Sequence, residues 1–474
     1  MTEITDAPAT EFDEASALEM ALAIRTKKVT SEALTRSALA RLRPVHDACN
    51  AVIAFEDDEA LAGAEAADKA VAQGGDLGPL HGVPLAHKDM FGRAGKRATW
   101  GANIHPDTPA EADATVIARL KAAGALQIAA LHMTEFAFGP TGHNYIIGHA
   151  RNPHDRALIT GGSSSGSAIS VATGVIPTAF GSDTGGSLRL PAAACGIKSL
   201  KPTWSRVSLA GAMPLSGLHD CIGPLARHAD DLALVMSLIA GPDPRDGRAA
   251  DVPVPDFLGA LEKSPAGFKI GIDDAVNGQS QAGVLARLES ARGVLRDMGC
   301  SEHAVTFPDW PTLEALGQLL LLPDVAAGHA AFMRNRADDY GPQVRARIEV
   351  GHFISAVDHN TALRARGFML QKVLDETFGA CDAILLPVFP DPVPTIAELD
   401  VADSQSLLPA LARITLYTRA INYLGLPSVT LPYARAGDDK PNGFQLVGRP
   451  FREDQLITFA KAYEAAVPPD VARV

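Results

Sequence analysis

Apolar residues recur along this chain at two periods, and the alternation between them predicts helices and strands in layers. Leu18 to Thr26 reads as a short helix, and Thr30 caps a second in which Leu34, Ala38 and Leu42 share one face. Ala60 to Gln73 is alanine-rich and helical until Gly74-Gly75 stops it. Asp113 is expected to cap a helix that ends at Gly124, its apolar side formed by Val116, Ile117 and Leu120. Ala125–Leu131 follows as a buried strand. The same order returns after residue 256: Phe268–Ile272 as a strand, then a helix on Val284, Leu288, Ala291, Leu295 and Met298, then Val305–Phe307 as a strand. Residues 312–378 read as mainly helical. Ala383–Leu386, Ser428–Leu431 and Phe444–Val447 read as strands and Asp454–Ala466 as a closing helix. Helix, glycine, apolar strand is the grammar of an α/β protein.

Two stretches break this rhythm. Leu80–Met90, LHGVPLAHKDM, leads an apolar run into Lys88 and Asp89, although a lysine is normally exposed. Gly161–Pro202 carries two small-residue clusters, GGSSSGS and GSDTGGS, around a helical run with Ala168, Val171, Ala172 and Val175 on one face. Glycine clusters that bracket apolar elements bring backbone close to something and present hydroxyls at defined points. Gly241–Asp256 is rich in Pro, Gly and Asp and marks a candidate internal boundary after the helix Ala229–Ala240.

Composition narrows the class. The 474 residues are 47% hydrophobic and 20% charged, as in a globular protein. The formal charge of −13 argues against a nucleic-acid surface, which needs a basic stripe. No run approaches 18 uninterrupted apolar residues, so no membrane span is expected, and the acidic start has no apolar signal core. Cys49, Cys195, Cys221, Cys300 and Cys381 are few, odd in number and scattered, which predicts free buried thiols and a cytoplasmic location. His81, His87, His132, His143 and His219 show no metal-ligand spacing, so neither metal nor cofactor is expected.

A serine turns nucleophilic only when a base takes its proton and donors stabilise the oxyanion. The clusters lack the GxxxxGK[ST] phosphate loop. Gly162–Gly166 matches GxSxG formally, but no strand precedes it, as a nucleophile elbow requires. A packing role for the small residues stays open on these residues alone. Taken together, HGVPLAHKD at 81–89, GGSSSGSA at 161–168 and GSDTGGSLRLPAAACGIKSLKPT at 181–203 resemble the amidase signature family. The likeness extends through 135–152, Asn422–Ser428 and Gly443–Arg449 and is poorest over 312–410.

The resemblance implies a single large α/β domain with a central mixed, twisted sheet flanked by helices on both sides. Residues 1–75 would be a helical segment packed on the core and 76–240 the core that bears the catalytic residues. Residues 257–474 would form its C-terminal α/β part, with a variable pocket region at about 312–410. It implies a Ser–Ser–Lys triad: Ser187 attacks, Ser163 (on a cis Gly162–Ser163 peptide) relays protons, and Lys88 is the base. Backbone amides of Thr184, Gly185, Gly186 and Ser187 would form the oxyanion hole, supported by Ser164, Asp183 and Arg189. Phe136, Phe138, Gly139, Thr141 and Tyr145 would line the substrate pocket.

The implied activity is hydrolysis of a linear carboxamide through an acyl-enzyme. The alternatives are the glutaminase-type subunit of a tRNA-dependent amidotransferase, or a urea- or biuret-type amide hydrolase. The expected partner is a small-molecule amide, with no nucleic acid and no membrane, in a possible homodimer. Two demands follow. Lys88, with an ordinary value near 10.4, must have it lowered by burial or a neighbouring cation to serve as a base, and Asp89, an anion that would raise it, is expected to point elsewhere. Ser165 stands where the family commonly has glycine and is expected to join the first turn of the following helix.

Overall fold

Strands from the whole length of the chain join in one eleven-stranded sheet. The computed structural model describes residues 9–401, 404–434, 440–469 and 471–472. The strands are β1 (Val52–Phe55), β2 (Pro84–Lys88), β3 (Leu126–Leu131), β4 (Thr178–Asp183), β5 (Lys198–Lys201) and β6 (Cys221–Ala226). They continue with β7 (Lys269–Ile272), β8 (Ser301–Ala304), β9 (Ala383–Pro387), β10 (Ser428–Pro432) and β11 (Gly443–Gly448). Their spatial order is β1-β3-β2-β4-β6-β5-β10-β11-β9-β7-β8. β3-β2-β4 and β9-β7-β8 run parallel, while the other neighbours are antiparallel, so the sheet is mixed as expected.

Side chains alternate across a strand, so consecutive buried residues report on both faces. Leu85 and Ala86 of β2 enter different apolar clusters, as do Ala179 and Phe180 of β4, and Leu225 and Ala226 of β6. Both faces are therefore covered, which is why β2, β4 and β6 are buried throughout and read as continuous rather than alternating runs. β4, β5 and β6 escape a periodicity reading for this reason, and β1 because four residues carry too little pattern.

Several expected elements shift. The apolar run Val305–Phe307 lies just beyond the ladder, and the strand is the polar Ser301–Ala304 at the sheet edge. Phe307 turns inward against Trp310, with ring centroids 4.8 Å apart. Asp113 does not cap the helix Thr115–Ala122; its carboxylate accepts from the Ala94 amide at 2.8 Å. The N-terminal segment contributes strand β1 as well as helices. Within Gly241–Asp256 the chain is tied down, with Asp243 accepting from Thr115 and Ser208 at 2.5 and 2.6 Å. The helical run Trp310–Asp339 has the length and apolar composition of a membrane span. Its Leu313, Leu320, Leu321 and Val325 are nonetheless buried in this protein's own core.

Candidate active site

Lys88 closes β2, which lies between β3 and β4, and its side chain is 0% exposed. The ammonium nitrogen donates to Ser163 Oγ at 2.7 Å and to Ser182 Oγ at 2.9 Å. Burial lowers its pKa to about 7, although the charges of Asp220 and Asp183 pull the other way. Asp89 does point away: its carboxylate accepts from the Thr99 amide and hydroxyl at 2.8 and 2.5 Å. A lysine placed so is neutral for about half the time near pH 7, which a base requires.

Ser163 is fully buried, reached through a cis Gly162–Ser163 peptide. The neighbouring Ser164 amide donates to the Ser187 carbonyl at 3.3 Å, which joins the two serine clusters. Ser165 starts the helix Ser165–Ala172, as expected, and its hydroxyl donates to Gly161 O at 2.9 Å. Ser187 keeps 7% exposure where Lys88 and Ser163 keep none, so of the three it is the one open to a substrate.

The loop from Asp183 to Ser187 is held from behind. Asp183 Oδ1 accepts from the Gly186 amide at 2.8 Å, and Oδ2 from the Leu188 amide at 3.1 Å. Arg189 grips both carboxylate oxygens at 3.0 Å and also reaches Gln445 Oε1, Thr418 O and the Asn422 side chain. Burial alone would raise the Asp183 pKa. The Arg189 charge and hydrogen bonds outweigh it and hold the carboxyl well below the usual range. This explains why the Asn422 and Gly443–Arg449 stretches belong with the serine clusters: Asn422 and Gln445 complete the grip on Arg189.

Gly186 has φ +124°, and a Cβ there would lie 2.7 Å from Thr418 Oγ1, so the position demands glycine for conformation and packing. Its amide is already given to Asp183. Among the described residues, the amides of Thr184, Gly185 and Ser187 meet no protein acceptor. Thr418 Oγ1 donates to Gly185 O at 2.7 Å and fixes that peptide's direction.

Beside the Gly161–Ser165 stretch lies a small cleft lined by Phe138, Gly139, Thr141, Tyr145, Val344 and Arg347. It adjoins the serine loop, because Thr134 N donates to Ser163 O at 3.2 Å and Gly162 N to Pro140 O at 2.8 Å. Phe136 does not line it. That ring is buried against His329 and Tyr340, at 4.6 and 5.3 Å between centroids, as part of the helical layer. The larger surface hollow near His81, Arg93 and Gln127 is lined by none of Lys88, Ser163 and Ser187.

Sequence reasoning missed Ser182, Asp220 and Arg347. Ser182 was findable, since it sits in the GSDTGGS cluster and β4 neighbours β2. Arg347 lies over the Phe138 ring at 3.8 Å and donates to Phe138 O at 2.7 Å. Among the described residues it has no carboxylate partner, and burial with the like charge of Arg419 lowers its pKa to about 9. The ligand atoms of His143, His149 and Asp400 converge within 4.8 Å. Both ring nitrogens of His143 already bond, to Thr141 Oγ1 and Ile396 O.

The family model described as Amidase matches residues 33–457. A glutamyl-tRNA(Gln) amidotransferase subunit of Geobacter metallireducens is 35% identical over 468 residues, covering 94% of this chain and 95% of that one. A solved chain from a vestigial protein complex, described as revealing the origins of an s-triazine catabolic enzyme, aligns with TM-score 0.90 at 30% identity. The alignment covers 97% of this chain and 100% of that one. The corresponding glutamyl-tRNA(Gln) amidotransferase chain of Thermotoga maritima aligns with TM-score 0.78 at 27% identity, over 98% and 99% of the two chains.

These relatives correct one expectation. A small-molecule amide as sole partner, with no nucleic acid, does not fit relatives named as subunits of an assembly that acts on a tRNA. Net charge does not exclude such a role, because one chain's overall sign says nothing of what any chain beside it would hold. The match over residues 33–457 and the 35% identity along nearly the whole length place this chain in the amidase family, as a hydrolase acting on carbon–nitrogen bonds.

Proposed function

We propose that Ser187 is the nucleophile, Ser163 the proton relay and Lys88 the base of a serine amidohydrolase acting on a primary carboxamide. The observation that carries it is the 2.7 Å contact from Lys88 Nζ to Ser163 Oγ inside a fully buried site. Neutral Lys88 accepts the Ser163 proton while Ser163 accepts that of Ser187. Ser187 Oγ then adds to the carbonyl carbon. The amides of Thr184, Gly185 and Ser187 receive the oxyanion. The C–N bond breaks as the proton returns through Ser163 to the leaving nitrogen, and water cleaves the resulting ester by the same relay. Domain boundaries follow the same reading: residues 1–75, 76–240 and 257–474 act as parts of one domain.

For the substrate, we favour a glutamine-like amide that yields ammonia to a partner protein. Relatives at 32–35% identity over 93–98% of this chain are named as amidotransferase subunits of this kind. Arg347, without a carboxylate partner among the described residues and stacked on Phe138 in the cleft, would supply the cation that a glutamine carboxylate needs. A cytoplasmic setting accords with these relatives and with five free, buried cysteines. One observation favours a second reading, a hydrolase of small amides with no tRNA-linked role: the s-triazine-related chain superposes with TM-score 0.90, the Thermotoga chain with 0.78.

Arg347→Met separates the two. With glutamine as substrate, KM is expected to rise about 10- to 100-fold with kcat nearly unchanged, as loss of a charged hydrogen bond predicts. Steady-state ammonia release from glutamine, glutaminyl peptides and neutral amides measures it. An unchanged KM for glutamine, or neutral amides as the better substrates, rejects the glutaminase reading and leaves the triad intact.

A further inference from the structure

We propose that Asp220 is a positioning residue of this reaction: it anchors Thr184, the first residue of the oxyanion loop, and supplies the negative charge against which Lys88 works. The inference rests on the triad reading above. β6 begins at Cys221, which pairs with Asp183 at the end of β4. Asp220 therefore stands opposite the residue that follows β4, namely Thr184. Its Oδ1 accepts from Thr184 Oγ1 at 2.6 Å, and Oδ2 from the Leu215 and Ser216 amides at 2.9 and 3.0 Å. The turn that carries it is closed by the His219 and Asp220 amides donating to Ser216 O at 3.0 and 2.8 Å.

Asp220 is 5% exposed, and among the described residues no cation pairs with it. A carboxylate buried without an ion pair is destabilising unless hydrogen bonds and a nearby cation hold it. Three donors supply the bonds. Lys88 reaches the same strand end, donating to Ser182 Oγ at 2.9 Å two residues before Thr184, and the charge of Asp220 opposes the lowering of its pKa, ahead of Asp183.

The surrounding charges leave that role to Asp220. Asp183 is engaged by Arg189, with Lys201 beyond it. Asp324 faces Asp220 through Ser216, as a like charge. His219 is held neutral by burial and by Arg366, Arg419 and Lys201. Burial raises the Asp220 pKa to about 6, against its hydrogen bonds, so its anion is present in the range where Lys88 titrates. When Lys88 takes the relayed proton it becomes an ammonium, and the Asp220 anion stabilises that state.

The test is Asp220→Asn beside Thr184→Val in the full chain. Asp220→Asn keeps the shape and removes the charge: its oxygen can still accept from the Leu215 and Ser216 amides, while its NH2 donates to Thr184 Oγ1 instead of accepting from it. It is expected to lower kcat about 10- to 100-fold with KM within about 2-fold. It should also move the acid limb of the kcat/KM profile about one pH unit lower, because the ammonium has lost its anion. Thr184→Val removes the hydrogen bond and keeps the charge, so kcat falls while the limb stays in place. An unmoved limb in Asp220→Asn, or an equal shift in both variants, overturns the proposal. If Asp220→Asn does not fold by circular dichroism, an unchanged kcat in Thr184→Val overturns it alone. Normal turnover in Ser187→Ala would instead reject the triad itself, whatever Asp220 does.

Discussion

Replacing Ser187 with alanine is expected to abolish amide turnover, lowering kcat by roughly 10⁴- to 10⁶-fold, as loss of a nucleophile does where catalytic groups act as a unit. No neighbouring hydroxyl can take over. Ser163, Ser164 and Ser165 are fully buried, and Ser163 already accepts from Lys88. The loop does not depend on the lost oxygen, because Asp183 and Arg189 hold it through backbone and side-chain contacts. Melting temperature should therefore stay within a few degrees of the parent. Single-turnover assays with an activated ester test the assignment directly: the parent should show a burst of acyl-enzyme, the variant none. A retained burst would place the nucleophile elsewhere.

The serine clusters stood out as hydroxyls among glycines, but the roles expected of Lys88, Ser163 and Ser187 came from the resemblance of three ordered motifs to the amidase signature family. Taken singly, the small-residue clusters also allowed a packing role. The strand ending at Lys88 and the helix beginning at Ser165 follow from the same residues. What the sequence hid was contact across distance. Asp183 meets Asn422 at 239 residues' separation, and Arg189 meets Gln445 at 256. No periodicity reports such a pairing, so Arg189 could be placed near Ser187 while the partners on its far side could not. Phe136 shows the opposite failure. Its place beside the Phe138–Thr141 loop points to the pocket, yet a left-handed backbone at φ 52° turns its ring into the helical layer. Arg347 lies in the region of poorest resemblance, on the helix Pro342–Gly351, and only the fold brings it over Phe138.

Lys88→Met is expected to lower kcat by about 10³-fold or more, since it removes the base and silences the relay at Ser163. Methionine matches the length of the lysine stem, so packing around β2 is retained while the two hydrogen bonds to Ser163 and Ser182 are lost. Stability supplies the control, and its sign can be worked out. The unfolded chain binds a proton at Lys88 anywhere below its ordinary value of 10.5, and the folded chain only below about 7. Below 10.5 protonation therefore favours the unfolded state at this site, increasingly down to about pH 7. Methionine removes that pull, so the variant should be no less stable than the parent at neutral pH apart from the lost hydrogen bonds. The pH profile then separates a base from a structural lysine. The parent should lose kcat/KM as pH falls through about 7, with unit slope, as the neutral amine disappears. In Lys88→Met that limb should vanish from the residual activity. A variant that kept the limb, or kept near-normal turnover, would show that proton removal from Ser187 does not run through Lys88.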